Sequence, residues 1–250
     1  MSRIEIVGVD GLPEIAPGDD LGGMIHRAAA AQGWPLADGD ALVVGSKIVS
    51  KAEGCAVELD EVTPSPFALS YAAQWDKDAR LVEVVLGQSR RIVRQIGPVL
   101  ITETHHGFVC ANSGVDQSSS GAAGRVLVLP ADPDASARRI RARCGDLGVD
   151  VAVVISDTFG RPWRTGQTDI AIGVAGMSPL YSYLGQFDPH GHEFRVQELC
   201  VADELAAAAE LVKGNTSRVP VGAVRGYAWE RDDDATMAPV IRESSADLFR

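Results

Sequence analysis

Residues 151–164 read VAVVISDTFGRPWR. Five apolar residues, mostly Val and Ile, have the composition of a buried strand, here expected over Val151–Ser156, and the run stops abruptly at Asp157 and Thr158. A glycine, two arginines and a tryptophan follow. Working outward from this segment, similar short runs recur at Ile4–Val9, Ala41–Ser46, Leu81–Leu86, Pro98–Thr102, Arg125–Leu129, Ile170–Val174 and Val219–Val224. Gly, Pro, Asp or Ser bounds them, as expected of strands. Helical patterns are fewer: Asp20–Gln32, Ser65–Trp75, Asp134–Cys144 and Ala202–Val212. The last carries Asp203 and Glu204 in its first turn and Gly214 just past its end. More strands than helices, in irregular order, predict an α+β or mixed α/β fold with mixed sheets and flanking helices.

The chain has 250 residues, 46% of them hydrophobic and 23% charged, which suits a globular protein with a substantial core. No low-complexity linker or internal repeat divides it, so residues 1–250 are expected to form a single unit, in which two subdomains could pack intimately. The net charge of −11, with no Lys/Arg-rich run, argues against nucleic acid as a partner. No apolar run approaches the roughly 20 residues of a membrane span, and the first residues lack a secretory pattern, so a cytoplasmic protein is expected. Cys55, Cys110, Cys144 and Cys200 are widely separated and form no C-x-x-C pair. Free thiols in a reducing compartment are the natural reading.

Three polar segments interrupt the core pattern at strand ends. Gly45–Lys51, GSKIVSK, follows an apolar strand with hydroxyls and two lysines that suit a phosphate chain. Taken alone, the segment reads better as a solvated loop with ordinary surface lysines. The second runs from Thr102 to Ser118, where His105, His106 and Asp116 surround an apolar Phe-Val-Cys; the paired histidines could serve as base, ligand or phosphate contact, or simply cap a turn. In the third, Asp157 beside Thr158 is hard-oxygen chemistry suited to Mg²⁺ or Mn²⁺ rather than zinc. Arg161 and Arg164 could clamp anions there, although an N-capping Asp and surface arginines would look the same. Neither a GxxxxGK(S/T) loop nor a GxGxxG turn is present.

The segments ETHHGFVCANSGVDQS, ISDTFGRPWRTGQTDIAIGVAG and VADELAAAAELVKG, together with LPEI near the start and VVGSKIVSKAEG, resemble the coenzyme F420-0:L-glutamate ligases. The resemblance covers roughly residues 4–226. It implies a mixed α/β fold particular to that family and an amide-forming reaction in coenzyme F420 biosynthesis, in which GTP and a divalent metal, Mg²⁺ or Mn²⁺, drive attachment of L-glutamate to the deazaflavin precursor F420-0 through an acyl phosphate. By position it implies nucleotide contacts at Leu12, Pro13, Glu14, Ile15, Ser46, Lys51 and Ser119, and metal ligands at Asp116, Asp157 and Thr158. Arg161 and Arg164 match as well, and an anion-clamping role beside the catalytic Asp116 and Asp157 is inferred for them. A homodimer, a monovalent cation and the absence of a fused C-terminal flavin-reductase-like domain complete the expectation.

The chain departs from the family pattern in places. Ser119 stands where the family has Asn, and Lys213-Gly214-Asn215 where it usually has Met-Gly followed by Lys, Glu or Gln. Ser182 and Leu184 replace an acid and an arginine. Two alternatives therefore accompany the ligase reading: an amide ligase with a different acceptor, and a non-catalytic paralogue that binds nucleotide or deazaflavin.

Overall fold

The computed structural model describes residues 3–117, 124–214 and 216–247. In chain order it begins with β1 (Glu5–Gly8), α1 (Leu21–Ala31), β2 (Ala41–Gly45), α2 (Ser46–Ala52) and β3 (Ala56–Glu58). There follow α3 (Pro66–Trp75), α4 (Ala79–Gly87), β4 (Ser89–Ile96), β5 (Val99–Thr104), β6 (Val109–Ala111) and β7 (Arg125–Leu127). The remainder comprises α5 (Pro133–Asp146), β8 (Ala152–Arg161), β9 (Arg164–Met177), β10 (Leu180–Ser182), β11 (Glu198–Cys200), α6 (Val201–Lys213), β12 (Val221–Arg225) and β13 (Arg231–Asp232).

The main sheet has the order β1-β12-β2-β8-β9-β13, and within it only β2 and β8 run parallel. Helices cover both of its faces. Leu42, Val44, Val153 and Ile155 pack with α1 and α5, whereas Ala41, Val43, Ala152 and Val154 pack with α6. Burial on both sides explains why β2 and the first half of β8 read as unbroken apolar runs instead of alternating with polar residues. Beside this sheet, β4, β5 and β6 form an antiparallel sheet flanked by α3 and α4, and β3 pairs with β7. The mixed sheets and flanking helices are those expected.

Three local expectations require correction. Leu81–Leu86 is not a strand but the interior of α4. Its Val-rich composition suggested β structure, yet Asp78 caps the helix by accepting from the Arg80 amide at 2.8 Å, and Leu81, Val82 and Val85 share a face that packs inward. The polar GSKIVSK segment is also helical, with Ile48 and Val49 buried on the core side of α2. Finally, β8 does not end at Ser156: it runs on through Asp157 and Thr158 to Arg161, paired there with β9 alone.

The first turn of α5 lies directly on β9. Asp134 accepts from the Val174 amide at 2.8 Å, and a Cβ added at Gly173 would come within 2.5 Å of the Pro133 carbonyl group. Because the obstacle is backbone rather than a flexible side chain, Gly173→Ala is expected to cost about 1–3 kcal/mol. A lowered midpoint in urea with an unchanged slope would show it.

Candidate active site

The parallel pairing of β2 with β8 sets up the site. Its register places Gly45 beside Ser156, so the next residues, Ser46 and Asp157, emerge together at the same sheet edge. The Ser46 hydroxyl donates to Asp157 Oδ1 at 2.7 Å. A register shift in the β8–β9 ladder falls between Ile155 and Ser156, where β8 outruns β2, and such irregularities re-aim side chains beside functional sites. Beyond the shift Thr158 stands opposite Asp169. The antiparallel neighbour β12 begins at the same edge, with Pro220 O accepting from the Gly45 amide at 2.9 Å.

These ends enclose a cleft of about 330 Å³. Leu12–Ile15 form one rim, Ser46, Lys47 and Lys51 of α2 another, and Gly214, Arg218, Val219 and Pro220 a third. Ser156, Asp157, Thr158, Asp169, Glu210 and Lys213 supply the remaining polar lining. Four cations, Lys47, Lys51, Lys213 and Arg218, and four acids, Glu14, Asp157, Asp169 and Glu210, therefore share one concavity, where the cations at its rims would meet an anionic ligand.

The electrostatics are set by burial and close pairing. Burial pushes the Asp157 carboxyl up to about 6; the Ser46 hydrogen bond and the Lys47 charge oppose the rise, while the neighbouring Asp169 charge adds to it. For Asp169 burial also acts upward, but the Lys213 ammonium and the hydrogen bonds from Lys213, Thr158 and Ser156 outweigh it and hold this carboxyl below its ordinary range. Glu210 is raised, by burial first and then by the Asp169 charge. Glu14 is ion-paired with Lys51, whose hydrogen bond and charge lower its carboxyl.

The cleft thus gathers Leu12, Pro13, Glu14, Ile15, Ser46, Lys51, Asp157 and Thr158 from three separate stretches of sequence. Asp116 lies outside its lining and borders another cavity with Lys77, Asn112 and Gln117. It is tied to the cleft through Lys47, whose ammonium is 3.1 Å from Asp116 Oδ2 and also acts on Asp157. Arg161 and Arg164 face each other near the tip of the β8–β9 hairpin, exposed and apart from the cleft lining. The imidazoles of His105 and His106 are bound to the carbonyls of Gly87 and Pro130, each at 2.9 Å, and do not line the cleft. Ser182 and the half-exposed Leu184 belong to β10 and the turn after it. Ser119 and Asn215 lie outside the described residues.

Ser156, Asp169, Glu210 and Arg218 belong to the cleft without having been singled out from sequence, and Lys213, noted there only as a departure from the family pattern, belongs to it too. For two of them a signal existed. Asp169 is an acid at the head of the apolar run IAIGVAG. Lys213 continues the stripe Val201, Leu205, Ala209 at intervals of four, which is the buried face of α6.

Comparison with known proteins agrees with the resemblance seen in the sequence. The sequence model of the family described as F420-0:Gamma-glutamyl ligase matches residues 11–226. Proteins named Coenzyme F420:L-glutamate ligase are similar over nearly their whole length. The one from Methanothermobacter thermautotrophicus is 44% identical over 99% of both chains. That from Methanopyrus kandleri is 44% identical over 99% of this chain and 97% of its own. The Methanocaldococcus jannaschii protein is 37% identical with the same coverage, 99% and 97%.

Proposed function

Because the chain belongs to the F420-0:gamma-glutamyl ligase family, we propose that it joins L-glutamate to F420-0 in coenzyme F420 biosynthesis, with GTP and a divalent cation. The observation that carries this reading is the cleft itself: a carboxylate–hydroxyl pair, Asp157 and Thr158, set among Lys47, Lys51 and Arg218. Lysines and an arginine suit a triphosphate, and a hard-oxygen pair suits the cation that accompanies it.

The residues fit such a cation. Asp157 is a carboxyl held up to about 6 by burial, and a nearby positive charge would relieve that strain. Thr158 donates its proton to Asp169 at 2.7 Å, which leaves the oxygen able to act as a ligand. Among the described residues no group of three or more His, Cys, Asp or Glu side chains is arranged to hold a metal. A sparse protein ligand set is how Mg²⁺ and Mn²⁺ are bound when phosphates and waters complete the shell. Asp157 and Thr158 would hold the ion, with Asp116 joining them once Lys47 turns from it toward phosphate. When bound, the ion neutralises phosphate oxygens.

In this reading Leu12–Ile15, Ser46 and Lys51 hold the nucleotide. A carboxylate oxygen of F420-0 attacks the γ-phosphorus and GDP departs with the bonding electrons. The glutamate amine then attacks the acyl carbon, releasing phosphate and a proton. Lys47 and Lys51 offset the charge carried by the phosphates, and the enclosing rims restrict water at the acyl phosphate. Two copies of the chain form the working unit, with the exposed β8–β9 tip, including Arg161, Trp163 and Arg164, offered to the partner. The four cysteines form no disulfide, in keeping with a cytoplasmic setting. Among the described residues no helix is long and apolar enough to cross a membrane.

Incubation with F420-0, L-glutamate, GTP and Mn²⁺ or Mg²⁺, followed by mass spectrometry, tests the reading. A deazaflavin heavier by one or more glutamyl units, formed only with both nucleotide and metal, is expected. Absence of product while GTP still binds would overturn the acceptor assignment.

A further inference from the structure

We propose that Asp169 is a positioning residue of the cleft and Lys213 its fixed counter-ion, together holding the Thr158 hydroxyl with its proton turned inward and its lone pairs turned toward the cleft. The proposal rests on the reading of Thr158 as a metal ligand.

The hydrogen bonds form a closed arrangement. Lys213 Nζ donates to Asp169 Oδ2 at 2.6 Å and to Ser156 Oγ at 2.8 Å. Ser156 Oγ donates in turn to Asp169 Oδ2 at 2.9 Å, and Thr158 Oγ1 donates to Asp169 Oδ1 at 2.7 Å. An ionised carboxylate can only accept, so the proton of each hydroxyl must point at Asp169. Ser156 then accepts from lysine, and Thr158 keeps its acceptor capacity for the cleft. An amide at position 169 could donate to Thr158 instead and turn the hydroxyl proton outward, against a cation.

The counter-ion is committed to this task. The Lys213 and Asp169 side chains are only 5% and 3% exposed. Two donors of the ammonium are already used, and Glu210, at 3.8 Å, lies beyond hydrogen-bond distance. A buried ion pair is a poor stabiliser compared with apolar residues of equal volume, so stability alone gives little reason for one here. Its place at the floor of the cleft, one residue from Asp157 through Ser156 and Thr158, supplies a reason: a ligand's partner is fixed by the groups behind it.

The test is Mn²⁺ affinity of the full chain with a non-hydrolysable GTP analogue, read from the water-proton relaxation rate, with circular dichroism to check folding. Thr158→Val and Asp169→Asn should each weaken Mn²⁺ binding by about tenfold, within the range seen when groups behind a metal ligand are removed. The double variant should be no weaker than Thr158→Val alone, since both act through one hydroxyl. Thr158→Ser should bind as wild type does. Should Asp169→Asn fold poorly, Asp169→Asn with Lys213→Met removes both charges and should show the same tenfold loss. Multiplying effects, or wild-type Mn²⁺ affinity in a folded Asp169 variant while Thr158→Val is impaired, would overturn the proposal. Undiminished Mn²⁺ binding by Asp157→Asn would instead overturn the metal-site reading beneath it.

Discussion

Asp157→Asn is expected to lower ligase turnover by at least about a thousandfold while making the metal-free protein more stable. The loss follows from the role of the carboxylate: an amide of the same shape keeps the acceptor for Ser46 but removes the charge that would hold the cation. Three orders of magnitude correspond to about 4 kcal/mol of transition-state stabilisation, a reasonable share for one ligand of an ion that offsets phosphate charge. The gain in stability follows from burial, which raises the folded-state carboxyl to about 6. A raised acid favours its neutral form in the fold, so its ionised form burdens the folded state fully above pH 6. As pH falls through that value toward the unfolded one, the burden disappears. The variant should therefore melt higher than wild type at pH 7.5, by an amount equivalent to at most about 3 kcal/mol. The difference should vanish near pH 4. Mn²⁺ with GTP should raise the melting temperature of wild type and leave the variant unmoved. A variant that melts lower at pH 7.5, or that retains full turnover, would contradict this account of Asp157.

This combination of lost stability and gained chemistry bears on how much could be read beforehand. Segments whose local pattern agrees with their tertiary role were legible: β2, the first half of β8, and the helices α1, α5 and α6 fell within a residue or two of expectation. Misreadings arose where two signals competed. In α4 a Val-rich composition opposed helical spacing, and contact with α3 decided for the helix. Within α2, lysines that look solvated alternate with Ile48 and Val49, which are buried. At Asp157 and Thr158 polar residues suggested that a strand had ended, when β8 was leaving its cover by β2 and running on with β9 alone. The candidate site divides in the same way. Asp157 and Thr158 advertise themselves as polar residues after a hydrophobic run, but their partnership with Asp169 depends on a ladder register shifted at Ser156, which no spacing in the chain reveals. Likewise Lys213 reaches Ser156 across 57 residues only because α6 covers that face of the sheet.

Removal of that lysine has the second large consequence. Lys213→Met keeps the volume of the side chain and leaves Asp169 buried without its cation. Breaking one half of a buried pair costs about 3–5 kcal/mol, because the remaining charge is uncompensated. For a chain of this length that corresponds to a fall in melting temperature of roughly 6–20 °C at neutral pH. The pH dependence distinguishes this cause from simple loss of packing. In the wild type Asp169 is held below its ordinary range, so the stability it contributes is present at neutral pH and is lost only as pH falls through its lowered folded-state value. Without Lys213 the same burial acts unopposed by that charge and moves the carboxyl upward, so mild acid protonates it and relieves the variant. The deficit in melting temperature should therefore be greatest near pH 7.5 and shrink toward pH 5, whereas a packing defect would persist at both. Adding Asp169→Asn to Lys213→Met should recover most of the lost stability without recovering Mn²⁺ affinity, because the amide no longer compels Thr158 to donate. Recovery of both would mean that the pair serves only the fold. Recovery of stability alone separates the two tasks that one carboxylate performs: it needs Lys213 in order to be buried, and it must be an anion in order to turn the threonine.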